Sequence, residues 1–253
     1  MLALVLFHLM FNLSFNFVFS DLALAQPSKE NFEAALRGDF WAVSKAIASN
    51  KNVAKETDAH GMTLLMAAAE SGNLNVVKLL IAAGADIHQV TANNESALWF
   101  AAQNSQTKVV QFLLKKGAKS DGVEKSTGES LIFRVAALGD LKVLSALLKD
   151  PKVDVQAVNA NGETALFAAA REGNYEMAQF LIAKGLDPDQ KNYAGESPAE
   201  IAMKNQYVQT TEILSKRVLT LPNDSSKSQI MNQQLNQPNS QQKKENKWNS
   251  GSK

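Results

Sequence analysis

Cysteine is absent from the 253 residues, which rules out a disulfide framework and any thiolate metal site. Histidine is almost as scarce. His8, His60 and His88 are the three present, and none has a second ligand at the short spacing a zinc site uses. Neither sign of charge prevails: 26 Lys and Arg stand against 25 Asp and Glu, a formal net charge of +1. Nothing therefore steers the chain toward nucleic acid or an anionic bilayer. Missing too are a glycine-rich phosphate loop, a nucleophile elbow and an HExxH helix. The carboxylates are scattered along the chain. No residue qualifies as catalytic, metal-binding or cofactor-binding, and the reading is of a non-enzyme that needs no cofactor.

What the sequence does have is repetition. DAHGMTLLMAAAESGNLNVVKLLIAAGAD, from Asp58, returns as NNESALWFAAQNSQTKVVQFLLKKGAK from Asn93 and as TGESLIFRVAALGDLKVLSALLKD from Thr127. It returns again as NGETALFAAAREGNYEMAQFLIAKGLD from Asn161, and shortened as AGESPAEIAMKNQYVQTTEIL from Ala194. A turn position steps through Gly61, Asn94, Gly128, Gly162 and Gly195, a period of 33 or 34 residues. Self-similarity at that period marks a repeat array.

Each unit reads as two short helices. Thr63, Ser96, Ser130 and Thr164 stand where a helix N-cap belongs, with a hydroxyl for an orphan N–H. The pairs Ala68-Ala69, Ala101-Ala102 and Ala169-Ala170 favour helix and keep it thin, so neighbours can approach. Gly72, Gly139 and Gly173 punctuate the two helices. Val76-Val77 with Leu79-Leu80, and Val109-Val110 with Phe112-Leu113, give the second helix an apolar stripe. Gly84, Gly117 and Gly185 follow, where a left-handed C-cap is wanted. One such unit cannot bury its apolar face alone; stacked units share a core.

These registers together resemble the ankyrin repeat, over roughly two thirds of the chain. The resemblance implies an all-α solenoid of stacked helix–turn–helix units joined by β-hairpin-like turns. Residues 58–90, 91–123, 124–158 and 159–191 then form four repeats, with 29–57 a degenerate N-terminal cap and 192–220 a C-terminal cap. The repeat 124–158 diverges: it carries an extra residue near Asp150-Pro151-Lys152, where proline ends a helix. It also places Arg134 where other units have Ala67, Phe100, Ala168 and Ile201. That arginine either packs its stem on Phe100 or contacts an anion or partner.

The ends read differently. Residues 1–25 look like a signal peptide: an apolar run to Ser20, then Ala23-Leu24-Ala25 as a small-residue cleavage site. No Lys or Arg precedes the run, and a membrane anchor facing the periplasm is the alternative, since about 20 apolar residues just span a bilayer. Residues 221–253, rich in Gln, Asn and Ser, form an expected disordered tail.

With no site for chemistry, function falls to the surface. The resemblance implies binding of a protein partner through the hairpin tips and the concave face of the first helices. Two rows map there. Met62, Glu95, Glu129, Glu163 and Glu196 follow the turn position and form either a negative edge or ordinary solvated charge. Met66, Trp99, Phe133 and Phe167 either stack as core or leave an apolar binding surface in the groove. The expectation is a monomeric scaffold, periplasmic or secreted, clear of nucleic acid and, after cleavage, of membrane. The alternative is a secreted effector of a host-associated bacterium that binds a host protein.

Overall fold

A computed structural model describes residues 29–215. The expected signal segment 1–25 and the tail 221–253 lie outside the described residues. Within residues 29–215, twelve α-helices run as six consecutive pairs, here units 1 to 6. Unit 1 joins α1 (Lys29–Arg37) to α2 (Phe40–Ser49), with a short 3-10 helix, Lys51–Lys55, behind it. Unit 2 joins α3 (Leu64–Glu70) to α4 (Leu74–Ala82), and unit 3 joins α5 (Ala97–Gln103) to α6 (Thr107–Lys115). Unit 4 joins α7 (Leu131–Leu138) to α8 (Leu141–Leu147), and unit 5 joins α9 (Ala165–Arg171) to α10 (Tyr175–Ala183). Unit 6 joins α11 (Pro198–Lys204) to α12 (Val208–Ser215). No described helix is long and apolar enough to cross a membrane.

The pairs stack in two layers. First helices pack in order from α1 to α11, and second helices pack from α2 to α8 and again from α10 to α12, while α8 and α10 barely touch. The alanines of the first helices explain the close stacking. Ala68, Ala69, Ala101, Ala102, Ala169 and Ala170 are fully buried, and a methyl side chain lets backbones approach. Behind them Leu80, Leu113, Leu147, Leu181 and Leu214 form a buried column in the second helices. Removing one such leucine to alanine costs about 2–5 kcal/mol.

The caps follow the sequence at most positions. The hydroxyls of Thr63, Ser96 and Ser130 accept from the N–H groups of Met66, Trp99 and Phe133. Thr164 departs from the expectation: its Oγ1 is buried without a partner. Here the Phe167 N–H donates to the Thr164 backbone carbonyl at 2.9 Å, so the hydroxyl has no donor left to cap.

The turn between the two helices also couples units. Gly72 has φ +78°, and a Cβ there would fall 2.0 Å from Gln106 Oε1 of the next unit. The same amide donates through Nε2 to the Glu70 carbonyl at 3.2 Å. Glycine thus serves both the left-handed turn and the space for its neighbour's side chain.

Loops between units carry less strand than hairpins would. No strand forms among the described residues, and pairing is reduced to isolated antiparallel bridges at Thr57–Thr63, Val90–Ser96 and Val123–Ser130. Tips are instead joined one to the next by single backbone bonds: Ala92 N–H to His60 O, Lys125 N–H to Asn93 O, Ala160 N–H to Thr127 O and Tyr193 N–H to Asn161 O.

Unit 4 is irregular in two places. Its tip bond closes from Glu124 to Glu129, where units 3 and 5 close from Thr91 to Glu95 and from Asn159 to Glu163, one residue shorter. Its second helix spans 7 residues against 9 in α4, α6 and α10, and a longer loop follows through Asp150 and Pro151.

Candidate partner-binding surface

Each tip is built around one polar residue that opens the turn. Asp58 Oδ1 accepts the N–H groups of His60 and Met62, Asn159 Oδ1 those of Asn161 and Glu163, and Asn192 Oδ1 those of Ala194 and Glu196. Thr91 Oγ1 accepts from the Glu95 N–H. Glu124 does this work with a carboxylate. It takes four bonds, from the hydroxyl and backbone N–H of both Ser126 and Thr127, at 2.7–2.9 Å. Burial pushes its carboxyl up, but these four donors outweigh burial and hold it at about 2. Sequence reading missed this register, although the polar residue four or five positions before each ladder residue was visible in it.

The acidic row does not form one uniform edge. Met62 is half-buried against the core. Glu95 is half-buried and accepts from the Thr91 hydroxyl at 3.1 Å. Glu129 pairs with Arg134 Nη2 at 3.2 Å, its side chain 17% exposed. Glu163 is buried, only 4% exposed. Its carboxylate takes Arg171 Nη2 at 2.6 Å, Asn159 Nδ2 at 3.0 Å and, from the next unit, Asn192 Nδ2 at 3.5 Å. Burial pushes that carboxyl up, but the Arg171 and Asn159 bonds, the Arg171 charge and Asn192 together hold it below the ordinary carboxylate range. Glu196 pairs with Lys204, whose ammonium holds the carboxyl low.

In units 5 and 6 the partner lies eight residues further on, at the end of the same first helix. Arg171 answers Glu163 and Lys204 answers Glu196. The same step from Met62 reaches Glu70, and from Glu95 it reaches Gln103. Gln103 accepts from Trp99 Nε1 at 3.3 Å. Glu70 is raised by its own burial and then by the charge of Glu95. Among the described residues no ion pair involves Glu70 or Glu95.

Of the two alternatives for the aromatic row, core or an apolar groove surface, its burial is that of core. Trp99, Phe133 and Phe167 are 1%, 3% and 0% exposed, and Met66 is buried with them. They stand three residues past the N-cap, where the layer of first helices closes over them. Arg134 lies beside this row, its side chain 38% exposed, with Nη2 on Glu129 and Nε buried without a partner.

Among the described residues no group of three His, Cys, Asp or Glu is placed to hold a metal ion. The described surface can offer carboxylates, a guanidinium and the paired tips to another macromolecule.

Comparisons with known proteins agree with that geometry. A family model described as ankyrin repeats (3 copies) matches residues 32–124 and 131–222. The chain is 32% identical over 143 residues to the nuclear factor NF-kappa-B p105 subunit of Gallus gallus, covering 55% of this chain and 14% of that protein. It is 29% identical over 173 residues to inversin of Homo sapiens, covering 68% of this chain and 16% of that protein. The chain thus spans less than a fifth of either relative. Among solved structures it is similar to a chain in the complex of Bd0816 predatory endopeptidase from Bdellovibrio bacteriovorus with immunity protein Bd3460. That match has a TM-score of 0.68 and 36% sequence identity, over 75% of this chain and 98% of the other.

Proposed function

Since the chain belongs to the ankyrin-repeat family, we propose that it is a non-catalytic binding protein, exported from the cytoplasm, whose partner is a protein held along the tips and the first-helix face. The observation that carries this is the 36% identity with nearly the whole of a chain from an endopeptidase–immunity complex. A stacked array without a catalytic constellation suits the immunity side of such a pair. The partner proposed is therefore an exported endopeptidase, bound one to one by a monomeric array.

Of the residues singled out in the sequence, Glu95, Glu129, Arg134 and Glu196 remain candidates for contact, with Met62 at the end of the row. Glu163 supports the tip from inside, and Trp99, Phe133 and Phe167 support the layer behind it. The Glu70–Glu95 pair lacks a cation of its own and would gain from a partner's lysine or arginine. Export rests on the apolar run and the Ala23-Leu24-Ala25 site, with the mature chain starting at Gln26 in the periplasm.

The test is to mix the purified chain with Bd0816 and with the exported endopeptidases of its own cell. Co-elution as a stoichiometric complex, with slower peptide hydrolysis, is expected for one of them. Absence of any complex by calorimetry and gel filtration overturns the reading. Reversing Glu95 and Glu196 to Lys should then weaken a complex that does form, most at low salt. Recovery of the chain in a host compartment would move the reading to a secreted effector.

A further inference from the structure

We propose that the cleft between α6 and α8, on the second-helix side of the array, docks an acidic segment of a protein partner. This site is separate from the tips and does not rest on the endopeptidase reading.

The cleft lies where irregular unit 4 meets unit 3. The second helix α8 stops at Leu147, and Lys149 and Asp150 just after it line the cleft together with the last turn of α6. It is an open cleft of about 590 Å³, lined by Gln111, Leu114, Lys115, Ala146, Lys149 and Asp150. That volume lies in the range of binding pockets that take a few side chains.

Its charged lining is two lysines against one carboxylate, a net positive balance. The Asp150 carboxylate accepts from the Ser120 hydroxyl at 2.6 Å and from the Lys152 N–H at 3.0 Å, which engages both of its oxygens. Lys115 and Lys149 are exposed, and among the described residues neither is in an ion pair. Lys116 follows Lys115 in the chain, and it and Lys78 of α4 each stand 5.8 Å from the ring centre of Phe112. Leu114 and Ala146 supply an apolar floor.

Lysines around a recess with an apolar floor match a chain that alternates acidic and apolar side chains. A bilayer surface could reach the lysines but could not enter the recess to cover Leu114 and Ala146. The composition of the chain's own residues beyond Leu221 does not match the cleft. Beyond Leu221 it carries Lys227, Lys243, Lys244, Lys247 and Lys253 against Asp224 and Glu245, the same sign as the cleft.

The experiment uses the full-length chain and a fluorescein-labelled peptide of alternating glutamate and leucine, read by anisotropy. Controls are a lysine–leucine peptide of equal length and vesicles containing phosphatidylglycerol. The acidic peptide should bind, more weakly as salt rises, and Lys115→Glu with Lys149→Glu should weaken it about tenfold or more. Lys115→Gln with Lys149→Gln should fall between. All four substitutions are at exposed positions, and unchanged circular dichroism shows that folding is intact. Four results overturn the proposal: no binding of the acidic peptide, equal binding of the basic one, binding of vesicles alone, or binding that ignores the charge reversal.

Discussion

Units 2 and 3 carry the ladder position differently from units 4 to 6. In the later units every ladder glutamate has a cation: Arg134 for Glu129, Arg171 for Glu163, Lys204 for Glu196. In the earlier units the ladder is Met62 and Glu95, and the position eight residues on holds Glu70 and Gln103. One end of the array is thus internally neutralised, and the other keeps an unmatched pair of carboxylates. Identical register therefore does not mean identical surface. A glutamate repeated at one position keeps an uncompensated charge where its neighbour is neutral or acidic, and shares an ion pair where its neighbour is basic.

The comparison should fail for the aromatic row, which is core at both ends. Trp99→Ala in unit 3 and Phe167→Ala in unit 5 should each cost about 3–5 kcal/mol in denaturant unfolding. A small loss at Trp99 alone would mean that unit 3 presents its aromatic ring after all.

In the acidic row the two ends should separate. Glu163→Ala leaves Arg171 half-buried without its carboxylate and strips Asn159 and Asn192 of an acceptor, at about 2–3 kcal/mol. Glu95→Ala should change stability by about 0.5 kcal/mol or less. Equal effects in urea melts would erase the distinction.

Acid sharpens the contrast through Glu124. Its folded value, about 2, lies below the ordinary 4.5. A depressed carboxyl adds stability above its unfolded value, and that stability is lost as pH falls toward the folded one. Glu124→Ala should cost about 2 kcal/mol at neutral pH, and the cost should shrink as pH falls from 4.5 toward 2. A cost independent of pH would show that the carboxylate is not the anchor of that tip.

The smallest effect belongs to the unmatched end and has the opposite sign. Because Glu70 is raised, its ionisation opposes folding at neutral pH and the penalty lifts on acidification. Glu70→Gln should stabilise by about 0.5 kcal/mol at neutral pH and do nothing in acid. A destabilising result would mean that Glu70 has found a cation.

Much of this was readable beforehand. The period, the caps at Thr63, Ser96 and Ser130 and the alanine pairs depend on contacts within a few residues, and a local pattern reports local contacts. Thr164 shows the limit. The same residue type at the same register makes no cap, because its own backbone carbonyl takes the Phe167 N–H. The aromatic row could be placed on the first helices but not assigned to core or groove, since that depends on how closely the next helix approaches. Nor did the repeat pattern show that Asp150 would turn toward Ser120, thirty residues earlier in the chain.

The sequence by itself determined that this is a stack of paired short helices with glutamates in register, because spacing, capping and helix propensity act along the chain. Which glutamates share an ion pair with a neighbour and which do not was decided only by the tertiary structure. Charge pairing and burial act through space, between side chains that the stacking of the helices brings together.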